Sequence, residues 1–236
     1  MDRFDDMNKK GFTLVELLIA MVVGALVMAA VYGAMMMAMR TSGNTGRKIT
    51  TQQDTRSVLD FMAVEVRMAS FNPINPLNNP NKTDVWASIP ACASMGFAAP
   101  QTQNRGIQIA TGAQLMVAMD LNASGSIGDV PNEYIMYTYN AATGTIERNV
   151  SCGGNTDILG GIIPDTDVRN PVTIPLFRYF DAADNPLTAP VNIPAIRRIM
   201  ISIVSDTAEN DVNTGQPRKM IYSTSVLVRN HAISLP

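Results

Sequence analysis

The first residues that could do chemistry form the run Lys9-Lys10-Gly11-Phe12-Thr13-Leu14-Val15-Glu16, which leads directly into apolar sequence. Glu16 is the only charged residue between Lys10 and Arg40. A charged side chain inside a membrane-spanning segment costs about 3 kcal/mol or more, so it is kept where it has a partner or a function. Glu16 is therefore the leading candidate for a functional carboxylate.

The residues Gly11-Phe12-Thr13-Leu14-Val15-Glu16 resemble the class III signal of type IV prepilins and of type II secretion pseudopilins. The resemblance implies that a prepilin peptidase in the inner membrane cuts between Gly11 and Phe12 and methylates the new amino group of Phe12. Glu16 would then face the Phe12 amine of a neighbouring subunit during filament assembly. Each charge is costly alone in a low-dielectric layer, and the two offset one another when paired.

The alternative interpretation of this region is an ordinary secretory signal or membrane anchor that carries a stray acid. A usual signal peptide is cleaved after its apolar region, next to small residues. Here the expected cut precedes the apolar region, which favours the prepilin interpretation.

Residues 12–39 are long and apolar enough to cross a membrane. At about 1.5 Å per residue, a helix of this length spans a bilayer core of about 30 Å. Lys9 and Lys10 precede the segment, and the positive-inside tendency places them in the cytoplasm. We expect a leader peptide over residues 1–11, one pass through the inner membrane, and a periplasmic head that later reaches the cell surface in a pilus filament.

The rest of the chain has the composition of one modest extracytoplasmic domain, rich in Asn, Thr, Pro and Gly. Of its 236 residues 16% are charged and the formal net charge is -2, so no strongly basic surface indicates a nucleic-acid partner. Cys92 and Cys152 both fall in the part expected in an oxidising compartment, where an even count favours a disulfide between them. Two reduced structural cysteines are the alternative.

A second, amphipathic stretch of helix is predicted after the apolar segment. Residues 41–46 contain two glycines and predict a bend or a frayed turn. Helical spacing then resumes from about residue 47 to 71 in one apolar stripe: Val58, Met62, Val66 and Ala69. Asn72-Pro73 ends it, because proline lacks an N–H donor and restricts its predecessor. The sequence thus predicts a long helix over residues 12–71 and a head over residues 72–236.

The head is expected to be β-rich. Short strands separated by turn residues are predicted over residues 106–110, 114–120, 133–139, 145–150, 173–181, 196–205 and 220–228. The segment between the third and fourth strands contains Thr143-Gly144 and indicates a hairpin. Ile199, Ile201 and Ile203 alternate with other residues, which predicts one buried face. No long crossover helix separates the strands, so the sheet should be antiparallel and the fold class α+β.

One loop has the spacing of a calcium site. Residues 120–129 place side-chain oxygens at the first, third and fifth positions and a glycine, Gly125, at the sixth. Pro131 occupies the twelfth position, where a bidentate carboxylate is needed, although Asp129 or Glu133 could substitute. The candidate calcium ligands are Asp120, Asn122, Ser124, Asp129 and Glu133. The alternative is a polar loop whose side chains bond its own backbone.

Signals for catalysis are few, and we expect the protein not to be an enzyme. His231 is the only histidine, and its place near the C-terminus predicts a solvated or surface-packed side chain. No G-x-S-x-G, H-E-x-x-H or phosphate-binding glycine loop occurs in the sequence. Trp86 lies among proline-rich loops and is expected to be a lid packed over the core, with an exposed adhesive residue as the alternative.

The head resembles PilW-type minor pilins and, more distantly, the J-type minor pseudopilins of type II secretion. The resemblance rests on four blocks in this order: residues 56–69, 177–181, 196–204 and 224–230. It implies a pilin fold, a role in starting or capping a pilus, and other minor and major pilins as partners. The alternatives are a type II secretion pseudopilin at the filament tip, or a membrane-anchored binding protein or hydrolase that never polymerises.

Overall fold

The computed structural model describes residues 11–74, 84–93, 96–151, 153, 156–160, 171, 173–210 and 217–231. These residues form one long α-helix, nine β-strands in two antiparallel sheets, and short 3₁₀ turns. The chain divides into two compact units, Met1–Gly46 and Arg47–Pro236. This architecture is consistent with the α+β pilin fold that the sequence predicts.

Helix α1 (Leu14–Arg67) begins in the first unit and continues into the second. It is helical throughout residues 41–46, so the frayed turn expected there from two glycines is a wrong prediction. The hydroxyl of Thr41 donates to the carbonyl oxygen of Met37, and that of Thr45 to the carbonyl oxygen of Thr41, each at 2.9 Å. These side chains bond to the preceding turn of the helix, which is compatible with an unbroken helix.

The helix ends four residues before the predicted residue 71. The N–H groups of Met68 and Ala69 donate to carbonyl oxygens three residues back, at 3.0 and 3.1 Å, which tightens the last turn. Ser70 then adopts a φ of 63°, and its N–H donates to the carbonyl oxygen of Ala118 at 2.9 Å. The residue that follows the helical turn is therefore hydrogen-bonded to the first of the two sheets, which is described next.

The first sheet is an antiparallel meander of five strands in chain order. Its strands are β1 (Ile107–Ala110), β2 (Gln114–Ala118), β3 (Tyr134–Asn140), β4 (Thr145–Val150) and β5 (Thr156–Gly160). The predicted hairpin joins β3 to β4, and Gly144 in its turn has a φ of 67°, a conformation that glycine adopts without strain. β5 was not predicted.

The second sheet contains four antiparallel strands in the order β7-β6-β8-β9. Its strands are β6 (Phe177–Phe180), β7 (Pro186–Leu187), β8 (Arg198–Asn210) and β9 (Pro217–Leu227). Ile199, Ile201 and Ile203 are all buried, which confirms the predicted face of β8. The two-residue strand β7 was not predicted.

The main core of the second unit joins the later part of α1 to both sheets. Met62 and Val66 of the helix are completely buried, as the amphipathic stripe predicts. The first sheet contributes Leu115, Val117, Ile135 and Tyr137, and the second contributes Phe177, Tyr179, Ile199 and Ile201. One helix face thus contributes to a core shared by two sheets.

The opposite face of the first sheet carries a second apolar cluster. Side chains alternate along a strand, so Met116 and Ala118 of β2 and Tyr134 and Met136 of β3 point away from the main core. The segment before β1 covers them with Val85, Trp86, Ile89 and Phe97. Trp86 is therefore buried as a lid over this cluster, which confirms the interpretation favoured over an exposed adhesive residue.

A buried ion pair links α1 to the first sheet. The guanidinium of Arg148 on β4 donates to both carboxylate oxygens of Glu65, at 2.6 and 3.0 Å, and to Asn132 Oδ1 at 2.6 Å. The hydroxyl of Tyr137 also donates to Glu65. Burial raises the pKa of Tyr137, and the nearby Glu65 carboxylate adds to this shift, so the phenol keeps its proton.

We expect Arg148→Met to lower the free energy of unfolding of the head by about 3 kcal/mol, because it leaves the Glu65 carboxylate, which is only 16% exposed, without its cation. The double variant Arg148→Met, Glu65→Leu should recover most of this loss. Urea unfolding followed by Trp86 fluorescence measures both, since Trp86 is the only tryptophan and is buried in this unit.

Arg198→Met is the matched control, because Arg198 pairs with Asp184, whose side chain is 70% exposed. Exposed ion pairs contribute at most about 1 kcal/mol. Equal losses for the two arginine variants would contradict a special role for the buried pair.

Candidate functional site

The apolar part of α1 presents its side chains outward. Leu14–Met39 has a mean hydropathy of 2.7, and none of its most apolar window is buried. Phe12 before it is 87% exposed and Leu14 is 76% exposed. An apolar surface of this size is stable in water only when lipid or protein covers it.

The start of α1 is closed by a capping box. Thr13 precedes the helix, and its Oγ1 accepts from the N–H of Glu16 at 3.2 Å. In return, Glu16 Oε2 accepts from the N–H and the hydroxyl of Thr13, both at 3.4 Å. Two backbone donors that the helix itself cannot satisfy therefore find acceptors.

The capping box gives Glu16 a role within its own chain that sequence reasoning missed. The signal was present, since Thr-x-x-Glu before an apolar run is typical of this motif. A carboxylate in the first turn also interacts favourably with the positive end of the helix dipole. Glu16 is thus positioned in the first turn of the helix, four residues after Phe12, the residue that cleavage would make the N-terminus.

Gly11 and Phe12 precede the helix and are exposed, with no regular secondary structure. A peptide bond in this setting can be bound by a protease in an extended conformation, whereas one inside the helix cannot. The remaining leader residues, 1–10, lie outside the described residues.

Comparison with protein-family models finds one match at this end of the chain. Residues 6–32 match the model described as the prokaryotic N-terminal methylation motif. The chain carries a prepilin-like class III signal. The signal supports a type IV pilin-like or pseudopilin-like protein, and it implies processing by a prepilin peptidase and assembly with pilins in the membrane.

The family match ends at residue 32 and does not reach the head of this pilin-like chain. No curated protein and no solved structure matches the chain. The apolar helix fits membrane anchoring of a pilin-type protein. The PilW-type resemblance of the head stays a prediction.

The candidate calcium loop is built around two buried carboxylates, and the first is Asp120. Its Oδ1 accepts from the N–H of Ser124 at 3.2 Å and its Oδ2 from the N–H of Gly125 at 3.1 Å. Asn122 Oδ1 accepts from the same Ser124 N–H at 2.9 Å, and its amide donates to Asp129 at 3.3 Å. These oxygens face hydrogen-bond donors of the loop.

Glu133, the second buried carboxylate, closes the other end of the loop. It accepts from the N–H of Leu121 at 3.1 Å and from that of Gly128 at 2.8 Å. Burial raises the pKa of Glu133, and the neighbouring Asp129 adds to the shift. The neighbouring polar side chains of Ser124, Glu133 and Asn122 lower the pKa of Asp129.

The five predicted ligands do lie in one loop, but among the described residues no three His, Cys, Asp or Glu side chains are grouped to hold a metal ion. The carboxylates Asp120 and Glu133 instead accept backbone N–H groups, as in the alternative interpretation of a self-bonded loop. In this arrangement the carboxylates are engaged by the loop itself, and calcium binding stays a prediction.

Cys92 is buried and disulfide-bonded. Its backbone pairs with Phe97 in an isolated bridge. Cys152 lies outside the described residues. The pairing of Cys92 with Cys152 therefore stays a prediction.

His231 is buried, which corrects the expected solvated or surface-packed position. Its Nε2 lies 3.0 Å from the carbonyl oxygen of Ile193, which can only accept, so Nε2 carries the proton. Its Nδ1 then accepts from the hydroxyl of Ser70 at 2.8 Å, and Ser70 Oγ accepts from the N–H of Gly106 at 3.0 Å. Each of these atoms is engaged, so the pair acts as a structural clamp between the end of α1 and the end of β9.

Gly106 is required at this clamp because the backbones approach closely. A Cβ at this position would lie less than 3.0 Å from backbone atoms of Ser70 and Ala118.

Burial lowers the pKa of His231 to about 4. The positive charges of Arg105 and Arg197 also lower this pKa, whereas the hydrogen bond to Ile193 raises it.

We expect the head to lose stability as the pH falls from 6.5 towards about 4, because the unfolded His231 binds a proton while the folded one does not. The loss should reach about 3 kcal/mol at the lower end. Urea unfolding at several pH values measures it.

His231→Gln removes the titrating group and serves as the comparison. The variant should lose stability less steeply over the same pH range, whatever its stability at neutral pH. Parallel pH profiles for the two proteins would contradict the assignment of this effect to His231.

Proposed function

We propose that this chain is a minor type IV pilin, a structural subunit that helps to start pilus assembly or to cap the filament. The observation that carries the proposal is the methylation motif over residues 6–32, placed on a capped apolar helix whose one acid is Glu16. No chemical reaction of the chain itself is needed for this role, and we propose that it is not an enzyme.

The proposed route begins in the inner membrane, with the head in the periplasm. Lipid covers the apolar surface of Leu14–Met39 first, and neighbouring subunits cover it after assembly. The prepilin peptidase removes residues 1–11 and methylates Phe12. The partners in the filament are other minor pilins and major pilins.

In this proposal Glu16 changes its bonding partner on assembly. The capping bonds to Thr13 are 3.4 Å long, so they are weak and leave the carboxylate available. A protonated amine on the Phe12 of a neighbour offers a charged donor, which makes a stronger bond than a neutral one. In a low-dielectric layer this pairing offsets the cost of both buried charges.

A type II secretion pseudopilin at the filament tip is the second candidate, because the same signal serves both machines. A membrane-anchored binding protein or hydrolase that never polymerises is a candidate from another class. Glu16 discriminates the third candidate from the first two through assembly, since a mere anchor would use Glu16 only to cap its own helix, whereas a filament subunit also needs its charge for pairing.

We expect Glu16→Gln to lower incorporation into filaments sharply while leaving membrane insertion intact. Glutamine also serves as the last residue of a capping box, so this variant keeps the helix cap and removes only the charge. Comparing the amount of protein in membrane and sheared-filament fractions measures the two steps separately.

Thr13→Ala is the matched control, because it removes the cap at a cost of about 1 kcal/mol and keeps the charge. It should insert and assemble nearly as the unchanged protein does. If Glu16→Gln assembled normally while Thr13→Ala failed, Glu16 would act only as a cap and the pairing role would be refuted.

A further inference from the structure

A polar groove of about 460 Å³ crosses the face of the first sheet that points away from the main core. It extends over four adjacent strands, β2 to β5. The side chains that line it are Gln114, Met136, Thr138, Glu147, Asn149 and Thr156.

The strand register places these side chains in two rows. Gln114 lies opposite Thr138, and Thr138 lies opposite Glu147, so one row presents an amide, a hydroxyl and a carboxylate. Neighbouring strands are about 4.8 Å apart, which sets the interval between these groups. Met136, in the adjacent row, belongs to the second apolar cluster and is only 3% exposed, so it presents almost no surface to the groove.

Several of these polar groups have free hydrogen-bonding capacity. Glu147 Oε1 accepts from Asn140 at 3.1 Å and from Thr145 at 3.5 Å, while its Oε2 accepts from none of the described residues. The side chains of Gln114 and Thr138 likewise make no hydrogen bond to the described part of the chain. A ligand would therefore meet both donors and acceptors in one row.

The chemistry of the lining narrows the class of ligand. Among the described residues that line the groove none is cationic and one, Glu147, is anionic, which disfavours phosphates, acidic sugars and nucleic acids. Extended peptides usually bind along the open edge of a sheet. This groove instead lies on the face of the sheet, and three of its four strands, β2, β3 and β4, are paired on both edges. A single apolar side chain, Met136, is too little for a hydrophobic ligand.

We propose that this groove binds a short neutral saccharide. Hydroxyl groups along one edge of a sugar ring would bond Gln114, Thr138 and Glu147 Oε2. Met136 is buried in the adjacent row, so its methyl resonance would report a sugar bound to the neighbouring polar row without contacting the sugar itself. This inference does not depend on the proposed assembly role and concerns the head alone.

The test uses the full chain in lipid nanodiscs, because detergents with sugar headgroups would compete. Methionine methyl groups are labelled with ¹³C, and Met136→Leu assigns the Met136 resonance. The probes are cellotriose, maltotriose and chitotriose, with trigalacturonate and trilysine as charged comparisons. We expect at least one neutral trisaccharide to shift the Met136 resonance in a saturable manner, and neither charged probe to do so.

Thr138→Val and Glu147→Gln should each weaken that binding about five- to tenfold, the loss expected for one hydrogen bond. Thr102→Val is the matched control, because Thr102 is exposed and lies outside the groove, and it should leave binding unchanged. No shift with any neutral trisaccharide, a shift with trilysine alone, or equal binding by all variants would overturn the proposal.

Discussion

The main physical constraint on this chain is an exposed apolar surface that lipid or other protein must cover. Leu14–Met39 is helical and apolar, and none of its most apolar window is buried by the rest of the protein. Burying apolar surface contributes about 25 cal/mol per Å², so the segment strongly favours lipid or the matching helices of other subunits. Glu16 is the one group that resists this transfer, and its capping bonds to Thr13 only partly satisfy it. A partner that brings positive charge to the start of the helix would remove the remaining cost.

The head has apolar clusters of its own. Among the described residues, both clusters are formed by residues from Val58 onward. Polar side chains then fix the geometry at two places where elements meet, Glu65 with Arg148 and Ser70 with His231. Buried polar groups are costly unless they are bonded, and here each partner satisfies the other, which favours one packing arrangement over alternatives.

Local patterns in the sequence predicted most of the fold. The stripe that includes Met62 and Val66 predicted the helix face, and the alternation around Ile201 predicted a buried strand face, because each pattern reflects burial at a fixed period. β7 contains a proline, and β5 follows two glycines, so their residues weaken the strand signal. Both are short edge strands, each paired with the strand that precedes it in the chain, and a strand this short gives little periodic pattern to read.

The polar contacts were harder to predict than the strands. Arg148 and Glu65 are 83 residues apart, and Ser70 and His231 are 161 apart, so no spacing rule could join them. The capping box of Thr13 and Glu16 was local and could have been found. The sequence spacing placed Asp120 and Glu133 in one loop. Spacing alone does not say whether their carboxylates face a cation or backbone N–H groups.

The central claim is that the chain is processed as a prepilin before it assembles, and the mass of the mature N-terminus tests it most directly. The protein is isolated from membranes of cells that contain the peptidase and from cells that lack it, and the N-terminal peptide is analysed by mass spectrometry. The account predicts an N-terminus at methylated Phe12 in the first preparation and an intact Gly11–Phe12 bond in the second. An uncut Gly11–Phe12 bond in both, or a cut after the apolar segment, would contradict it.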